Sequence, residues 1–177
     1  MSTISKKICL VGDFGVGKTS LIRRFVERQF SDQYLSTVGV KISRKTIELE
    51  ELELEKKQGL QLLIWDLEGH TKFKGIAPTY LQGSSGAIVV ADVSRIETLE
   101  RIPEHIQLFT SINPKSSAIV ALNKADLIDE EKLQKLVQLI QNQELKQVIG
   151  LYTTSAKTGL FVDEIFQKLA YKILEPV

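Results

Sequence analysis

One cysteine, one tryptophan, one methionine and two histidines in 177 residues exclude several kinds of chemistry at once. With Cys9 alone, the chain forms no internal disulfide and no all-cysteine metal site. Set in Ile8-Cys9-Leu10-Val11, that thiol is read as a small residue of a buried strand. Long hydrophobic runs are missing: the longest, Ala87–Ala91 and Ala118–Leu122, have five residues each, far short of the roughly 20 that a membrane-spanning helix needs. Excess charge of either sign is missing too, with 23 Lys+Arg against 22 Asp+Glu and a net charge of +1. That balance removes the electrostatic argument for a dedicated nucleic-acid binder. Met1 to Lys7 lacks the apolar segment of a signal peptide, and no low-complexity linker or internal repeat divides the chain. The expectation is a cytoplasmic protein with one domain, residues 1–177, and a monomer.

What is present is a regular alternation. Strand-like runs at Lys7–Val11, Val40–Leu49, Leu60–Asp66, Ala87–Val93, Ser117–Leu122 and Val148–Thr153 punctuate helical patterns at Lys18–Arg28, Glu97–Ser111, Glu130–Gln143 and Phe161–Leu174. Short apolar strands alternating with helices predict an α/β fold, a parallel sheet covered on both faces. The most biased stretch runs from Glu48 to Lys57, with five Glu between positions 48 and 55. Ile47, Leu49, Leu52 and Leu54 interleave with those charges, which suggests an exposed hairpin whose alternation breaks at Glu50-Glu51. It is read first as a solvated edge protected by its charges.

The sharpest motif is Gly12-Asp13-Phe14-Gly15-Val16-Gly17-Lys18-Thr19, placed between a strand and a helix. Glycines let successive backbone N–H groups turn around phosphate oxygens, and the helix start adds positive potential to the same point. Lys18 suits the outer phosphates and the Thr19 hydroxyl suits Mg²⁺. Asp66-Leu67-Glu68-Gly69 follows a strand. Its Asp can hold Mg²⁺ and its Gly N–H can meet a terminal phosphate, although D-x-x-G alone also fits a plain turn. Asn123-Lys124-Ala125-Asp126 follows another strand. One carboxylate, Asp126, can accept from both the N–H and the amino group on the edge of guanine, a donor pair that adenine lacks. Thr154-Ser155-Ala156-Lys157 follows a further strand and offers a backbone N–H to the guanine carbonyl. Their common place at strand ends matters more than any one of them, because open α/β sheets bind ligands at the carboxyl ends of their strands.

Taken together, these residues resemble the Ras superfamily of small GTPases, most closely its Rab branch, over nearly the whole chain. The resemblance implies a P-loop G domain with a six-stranded, mostly parallel sheet, one antiparallel edge strand and helices on both faces. It implies GTP/GDP and Mg²⁺ as ligands, with nucleotide contacts from Asp13, Phe14, Gly15, Val16, Gly17, Lys18, Thr19, Ser20, Phe30, Thr37, Gly69, Asn123, Lys124, Asp126, Ser155, Ala156 and Lys157. Tyr34-Leu35-Ser36-Thr37-Val38-Gly39 is similar to the first switch segment of Rabs, so Thr37 joins Thr19 and Asp66 as an expected metal ligand. Lys18, Thr37, Gly69 and His70 are the expected catalytic set. Phe30, which would pack on the guanine, also fits an ordinary core phenylalanine. Ile42, Trp65 and Tyr80 fall where Rabs carry an aromatic patch for effectors. An effector, an exchange factor and an activating protein are the implied partners.

The departures from the family pattern surround the place of the γ-phosphate. His70 stands where the family usually has the glutamine that orients the attacking water, and Phe14 where it has glycine or serine. Leu67-Glu68 replaces the usual Thr-Ala, and the segment between Thr37 and Asp66 is longer than in typical Rabs. Imidazole offers one donor and one acceptor in a rigid ring, so it replaces glutamine only where the geometry suits. A bulky Phe14 crowds the path of an incoming arginine finger, which is worth roughly 10³–10⁵ in rate. These features imply slow hydrolysis; a GTP-loaded scaffold with little or no hydrolysis is the alternative. An ATP-dependent kinase on the same loop is a third reading, which Asn123–Asp126 opposes. His105, after Pro103-Glu104 in a helical stretch, is read as structural. The chain ends at Leu174-Glu175-Pro176-Val177 with no cysteine to prenylate, and Ser2 does not support N-myristoylation. The expectation is a switch without a lipid anchor of its own.

Overall fold

The computed structural model describes residues 2–31, 39–48, 58–67 and 78–175. Among these residues, six strands form one sheet in the order β2-β3-β1-β4-β5-β6. They are β1 (Ser2–Gly12), β2 (Val40–Ile47), β3 (Gln58–Leu67), β4 (Gly86–Asp92), β5 (Ser117–Asn123) and β6 (Val148–Thr153). The edge strand β2 runs antiparallel to β3, and every other neighbouring pair is parallel. The helices are α1 (Lys18–Glu27), α2 (Pro78–Leu81), α3 (Ile96–Glu100), α4 (Ile102–Ile112), α5 (Glu130–Gln141) and α6 (Val162–Leu174). A 3-10 turn spans Ala125–Leu127. The architecture is the α/β fold expected of a Ras-type G domain.

Strand side chains alternate between faces, and this period builds two cores. Ile8, Leu10, Ile88, Val90 and Ile119 face α1 and α6, where Phe25 and Phe166 stack with ring centroids 4.1 Å apart. Cys9, Val11, Val89, Ala91 and Val120 face the other way, against Leu99 of α3, Ile106 and Phe109 of α4, and Leu133 and Ile140 of α5. Cys9 is fully buried and burial pushes its thiol pKa up, in keeping with an inert core residue.

The connections fix where a ligand can sit. From β1 the chain crosses to β3 on one side and later to β4 on the other, so the order reverses at β1. The crevice beyond its carboxyl end is therefore a topological switch point, and the glycine-rich loop lies there.

Three local expectations need correction. The helix expected over Glu97–Ser111 is two helices, split at Arg101 (φ −90°, ψ −1°). Pro103, in the first turn of α4, has no N–H to offer the Leu99 carbonyl, and its ring crowds that turn. Phe161 is not helical but caps α6 in the left-handed region (φ 52°). Strand β1 starts at Ser2 rather than Lys7, because its polar first half pairs with β3 through the backbone, aided by Ser5 Oγ donating to Gln61 Oε1 at 3.2 Å. The expected hairpin tip at Glu50-Glu51 lies outside the described residues. The strands flanking it pair antiparallel as far as Ile47 and Leu60.

Candidate functional site

The loop from Gly12 to Gly17 joins β1 to α1, and its carbonyls are claimed by side chains from far along the chain. Arg95 Nη1 donates to Phe14 O (2.9 Å), Lys124 Nζ to Gly15 O (2.9 Å) and Asn123 Nδ2 to Val16 O (2.9 Å). A trans peptide holds its N–H opposite its C=O. With these three carbonyls engaged, the N–H groups of Gly15, Val16 and Gly17 point the other way, left for a ligand's phosphate oxygens. The start of α1 adds its positive end there. Two glycines make the path possible. A Cβ on Gly12 (φ +150°) would meet Val90 O at 2.3 Å, and one on Gly17 (φ +103°) would meet Asn123 Nδ2 at 2.3 Å.

Lys18 is buried and donates to Gly12 O (3.0 Å) and Asp13 O (2.9 Å). Burial lowers its pKa from 10.5 to about 8; Asp66 and Asp13 oppose that shift, and Arg95 adds to it. A cation held in so dry a place is short of negative charge, which a polyphosphate supplies. One residue on, Thr19 Oγ1 donates to Asp66 Oδ2 at 2.5 Å. Asp66 lies at the carboxyl end of β3, beside Leu10 of β1, and is 1% exposed. A hydroxyl and a carboxylate in contact next to a phosphate loop are hard oxygen donors. They fit Mg²⁺, which takes one or two protein oxygens and completes its shell with phosphate and water.

At the other end of the loop, β5 and β6 deliver the second and third clusters. Asn123, also 1% exposed, accepts from Thr154 Oγ1 (3.0 Å) while its amide holds Val16 O. Lys124 adopts a left-handed backbone (φ 63°) and pairs with the buried Asp92 at 3.0 Å. Asp126 is exposed in the 3-10 turn and accepts from Ser155 Oγ at 2.7 Å. Ala125 N donates to Thr154 O, so this bond and the Ser155–Asp126 bond sew the two loops together, and Thr158 N donates to Ser155 Oγ within the second loop. Ala156 is buried behind them, and Lys157 is exposed. Ser20 and Phe30 are half-buried, Phe30 packing against the α1–α6 core. Thr37, Gly69 and His70, with Glu68, lie outside the described residues.

A family model described as "Ras family" matches residues 7–175. The chain belongs to the Ras family. It is 32% identical over 169 residues to the human "Ras-related protein Rab-22A", covering 94% of this chain and 82% of the relative. It is 34% identical over 172 residues to rat "Ras-related protein Rab-13" (95% and 79% covered). It is 34% identical over 174 residues to "Ras-related protein RABF2b" of Arabidopsis thaliana (97% and 82% covered). The chain is thus a Rab-like small GTPase, a GTP-binding switch of a family that binds GTP and GDP with Mg²⁺ and works through effectors, exchange factors and activating proteins.

Two features of this small GTPase were not read from its sequence. His105, taken as structural, reaches the phosphate loop: its Nε2 lies 2.9 Å from Asp13 Oδ1, and Arg101 Nε lies 2.5 Å from Asp13 Oδ2. Asp13 is 2% exposed between them. The available signal was a basic pair four residues apart, one at the N-cap of α4 and one a turn into it, opposite an acid in the loop. Trp65 also has an unforeseen neighbour, since Lys7 Nζ sits 3.7 Å from the centre of its ring and donates to Gln82 O. Ile42 pairs with Trp65 across β2 and β3, and Ile42 and Tyr80 are both exposed. Phe14, 41% exposed at the loop, keeps its ring out of the core. Among the described residues no helix is long and apolar enough to cross a membrane.

Proposed function

We propose that residues 1–177 form one G domain that acts in the cytoplasm as a Mg²⁺-dependent guanine-nucleotide switch, hydrolysing GTP slowly to GDP and phosphate. The observation that carries this reading is the run of three loop carbonyls held outward by Arg95, Lys124 and Asn123, with Lys18 buried beside them. Such a loop is organised for phosphate before phosphate arrives, and preorganised N–H donors are what phosphoryl transfer asks of a protein.

In this reading the loop N–H groups and Lys18 bind the phosphates. Thr19, Asp66 and Thr37 would hold Mg²⁺, which would supply neutralisation of phosphate charge. Gly69 offers its N–H to the γ-phosphate, and His70 orients the attacking water. Asp126 accepts the two guanine donors, Ala156 offers its N–H to the guanine carbonyl, and Phe30 with the stem of Lys124 flanks the ring. Ser155 supports the base site by fixing one oxygen of Asp126. Ile42, Trp65 and Tyr80 form the effector surface, with the Lys7 ammonium lying over its aromatic centre. Phe14 and His70 account for slow turnover: one narrows access to the γ-phosphate, and the other replaces a more versatile water-positioning side chain.

The test is a single-turnover assay. The purified chain is loaded with GTP and Mg²⁺, freed of excess nucleotide, and the bound nucleotide is identified over hours. Conversion to GDP is expected, faster in His70→Gln. Retention of GTP throughout would overturn hydrolysis and leave the GTP-loaded scaffold. An unchanged rate in His70→Gln would remove His70 as the limiting feature.

A further inference from the structure

The phosphate loop is held along its whole length, but by different elements at its two ends. Its second half hangs from β5, through Asn123 on Val16 O and Lys124 on Gly15 O. Its first half hangs from the start of α4, through the carboxylate of Asp13, with Arg95 holding the next carbonyl, Phe14 O. We propose that Arg101 and His105 are positioning residues that keep the loop closed through Asp13 and so set how long guanine nucleotide stays bound. This rests on the nucleotide-binding reading above.

Three observations lead there. Asp13 is 2% exposed, yet both of its carboxylate oxygens are engaged, Oδ2 by Arg101 Nε at 2.5 Å and Oδ1 by His105 Nε2 at 2.9 Å. A carboxylate oxygen only accepts, so His105 carries its proton on Nε2 and donates. The ring is itself 6% exposed, so the contact is sheltered from water, where a hydrogen bond to a charged group counts most. Lastly, the backbone carbonyl of Asp13 accepts from Lys18 Nζ at 2.9 Å. One residue therefore ties α4 to the lysine that meets the outer phosphates. Release of a polyphosphate requires the loop N–H groups to let go together, and Asp13 cannot swing outward without breaking both bonds to α4. A buried carboxylate that loses its partners is costly, which opposes that motion.

The experiment follows release of a fluorescent GDP analogue, in Mg²⁺ and excess unlabelled GDP, beside thermal unfolding and hydrogen exchange of the amides at 13–17 in the nucleotide-free protein. His105→Leu should speed release about tenfold, the effect of losing one such bond. Arg101→Met, at a half-exposed position better able to tolerate change, should act in the same direction. His105→Gln, which keeps an N–H within reach of Asp13, should restore release to within about threefold of the parent rate, an interval of less than half the tenfold step. Asn113→Ala is the control: at the C-cap of the same helix, Asn113 Nδ2 holds Leu81 O at 2.8 Å, away from the loop. It should lower the unfolding temperature and leave release unchanged. Acceleration that merely follows the loss of unfolding temperature, Asn113→Ala included, would overturn the proposal, as would parental release rates in both His105→Leu and Arg101→Met. Should the parent chain hold no guanine nucleotide, the nucleotide-binding reading fails on its own. The clamp is then decided by whether His105→Leu and Arg101→Met, but not Asn113→Ala, raise exchange at 13–17 by about tenfold, with unchanged exchange refuting it.

Discussion

Adding one methyl group at Gly17 tests the geometry of the loop at its tightest point. In Gly17→Ala the new Cβ falls 2.3 Å from Asn123 Nδ2, and the backbone there has φ +103°, a value that L side chains rarely adopt. Two costs follow. The left-handed conformation is worth about 1–2 kcal/mol in a residue with a Cβ. Clearing the clash moves the Asn123 amide, which is 1% exposed and holds Val16 O at 2.9 Å while accepting from Thr154 Oγ1 at 3.0 Å. Losing those two buried bonds costs a further 2–3 kcal/mol or so. The total of about 3–5 kcal/mol corresponds to a fall in Tm of roughly 10 °C for a chain of this size.

Gly83→Ala separates the two terms. Gly83 has φ +75° but nothing within 4 Å of its added Cβ, so it should lose only the conformational part, about 1–2 kcal/mol. Urea denaturation of both variants, nucleotide-free, reads the difference. Release of a fluorescent GDP analogue should be at least about tenfold faster in Gly17→Ala, the effect of losing one bond that orients the loop, and unchanged in Gly83→Ala. If Gly17→Ala cost no more than Gly83→Ala, Asn123 would not be pinning the loop and the account of the site would fail.

Lys18, with its pKa lowered to about 8 by burial, should regain its proton when phosphates bind. Calorimetry at pH 9 should then record uptake of about 0.9 proton and roughly tenfold weaker GDP binding than at pH 7, with Lys18→Met abolishing the uptake. In the nucleotide-free chain the unfolded lysine keeps its proton up to pH 10.5. The cost of burying the ammonium is therefore full below pH 8, and stability relative to Lys18→Met should rise as pH climbs from 8 to 10.5. Chelating Mg²⁺ should hasten nucleotide release from the parent chain but not from Thr19→Val, which loses the hydroxyl that meets Asp66 at 2.5 Å. Asp126→Ala should weaken GDP binding at least about a hundredfold, the equivalent of two hydrogen bonds to a charged group. Competition with ATP should show the preference for guanine lost.

What could be read from the sequence was what had to be local. A phosphate loop needs its glycines, lysine and hydroxyl within eight neighbouring positions, Gly12–Thr19, because one turn and the first turn of one helix form it. The strands were legible because the uninterrupted apolar runs Ala87–Ala91 and Ala118–Leu122 belong to a sheet buried on both faces. The contact between His105 and Asp13 joins positions 92 apart in sequence, and nothing local to His105 distinguishes a histidine turned to a loop from one turned to a core. The break at Arg101 was signalled by Pro103, but apolar spacing on either side of it continues one helical face and hides the interruption. Phe161 at φ 52° carried no signal at all, since a bulky aromatic is among the least favoured residues in that conformation.

The loop's carbonyls also trace back to one buried charge. Asp92, at the carboxyl end of β4 and 1% exposed, lies 3.0 Å from Lys124 Nζ and 4.0 Å from Arg95 Nη1, and its other oxygen accepts from Ser94 N and Oγ. Lys124 and Arg95 are the two cations that hold Gly15 O and Phe14 O. A long, flexible lysine or arginine loses about 1.5–2 kcal/mol of rotamer freedom when fixed, so neither would hold a carbonyl reliably from solvent. Sharing a buried carboxylate limits where both ammonium and guanidinium can go, and it does so from the strand next to β1. Asp13 plays the converse part, a buried carboxylate on the loop itself that takes the Arg101 guanidinium and the His105 imidazole. Carboxylates thus anchor the loop on two sides while its N–H groups stay turned away from the engaged carbonyls. The acids and bases that surround the phosphate loop serve its shape, leaving the binding of phosphate to the backbone, Lys18 and the start of α1.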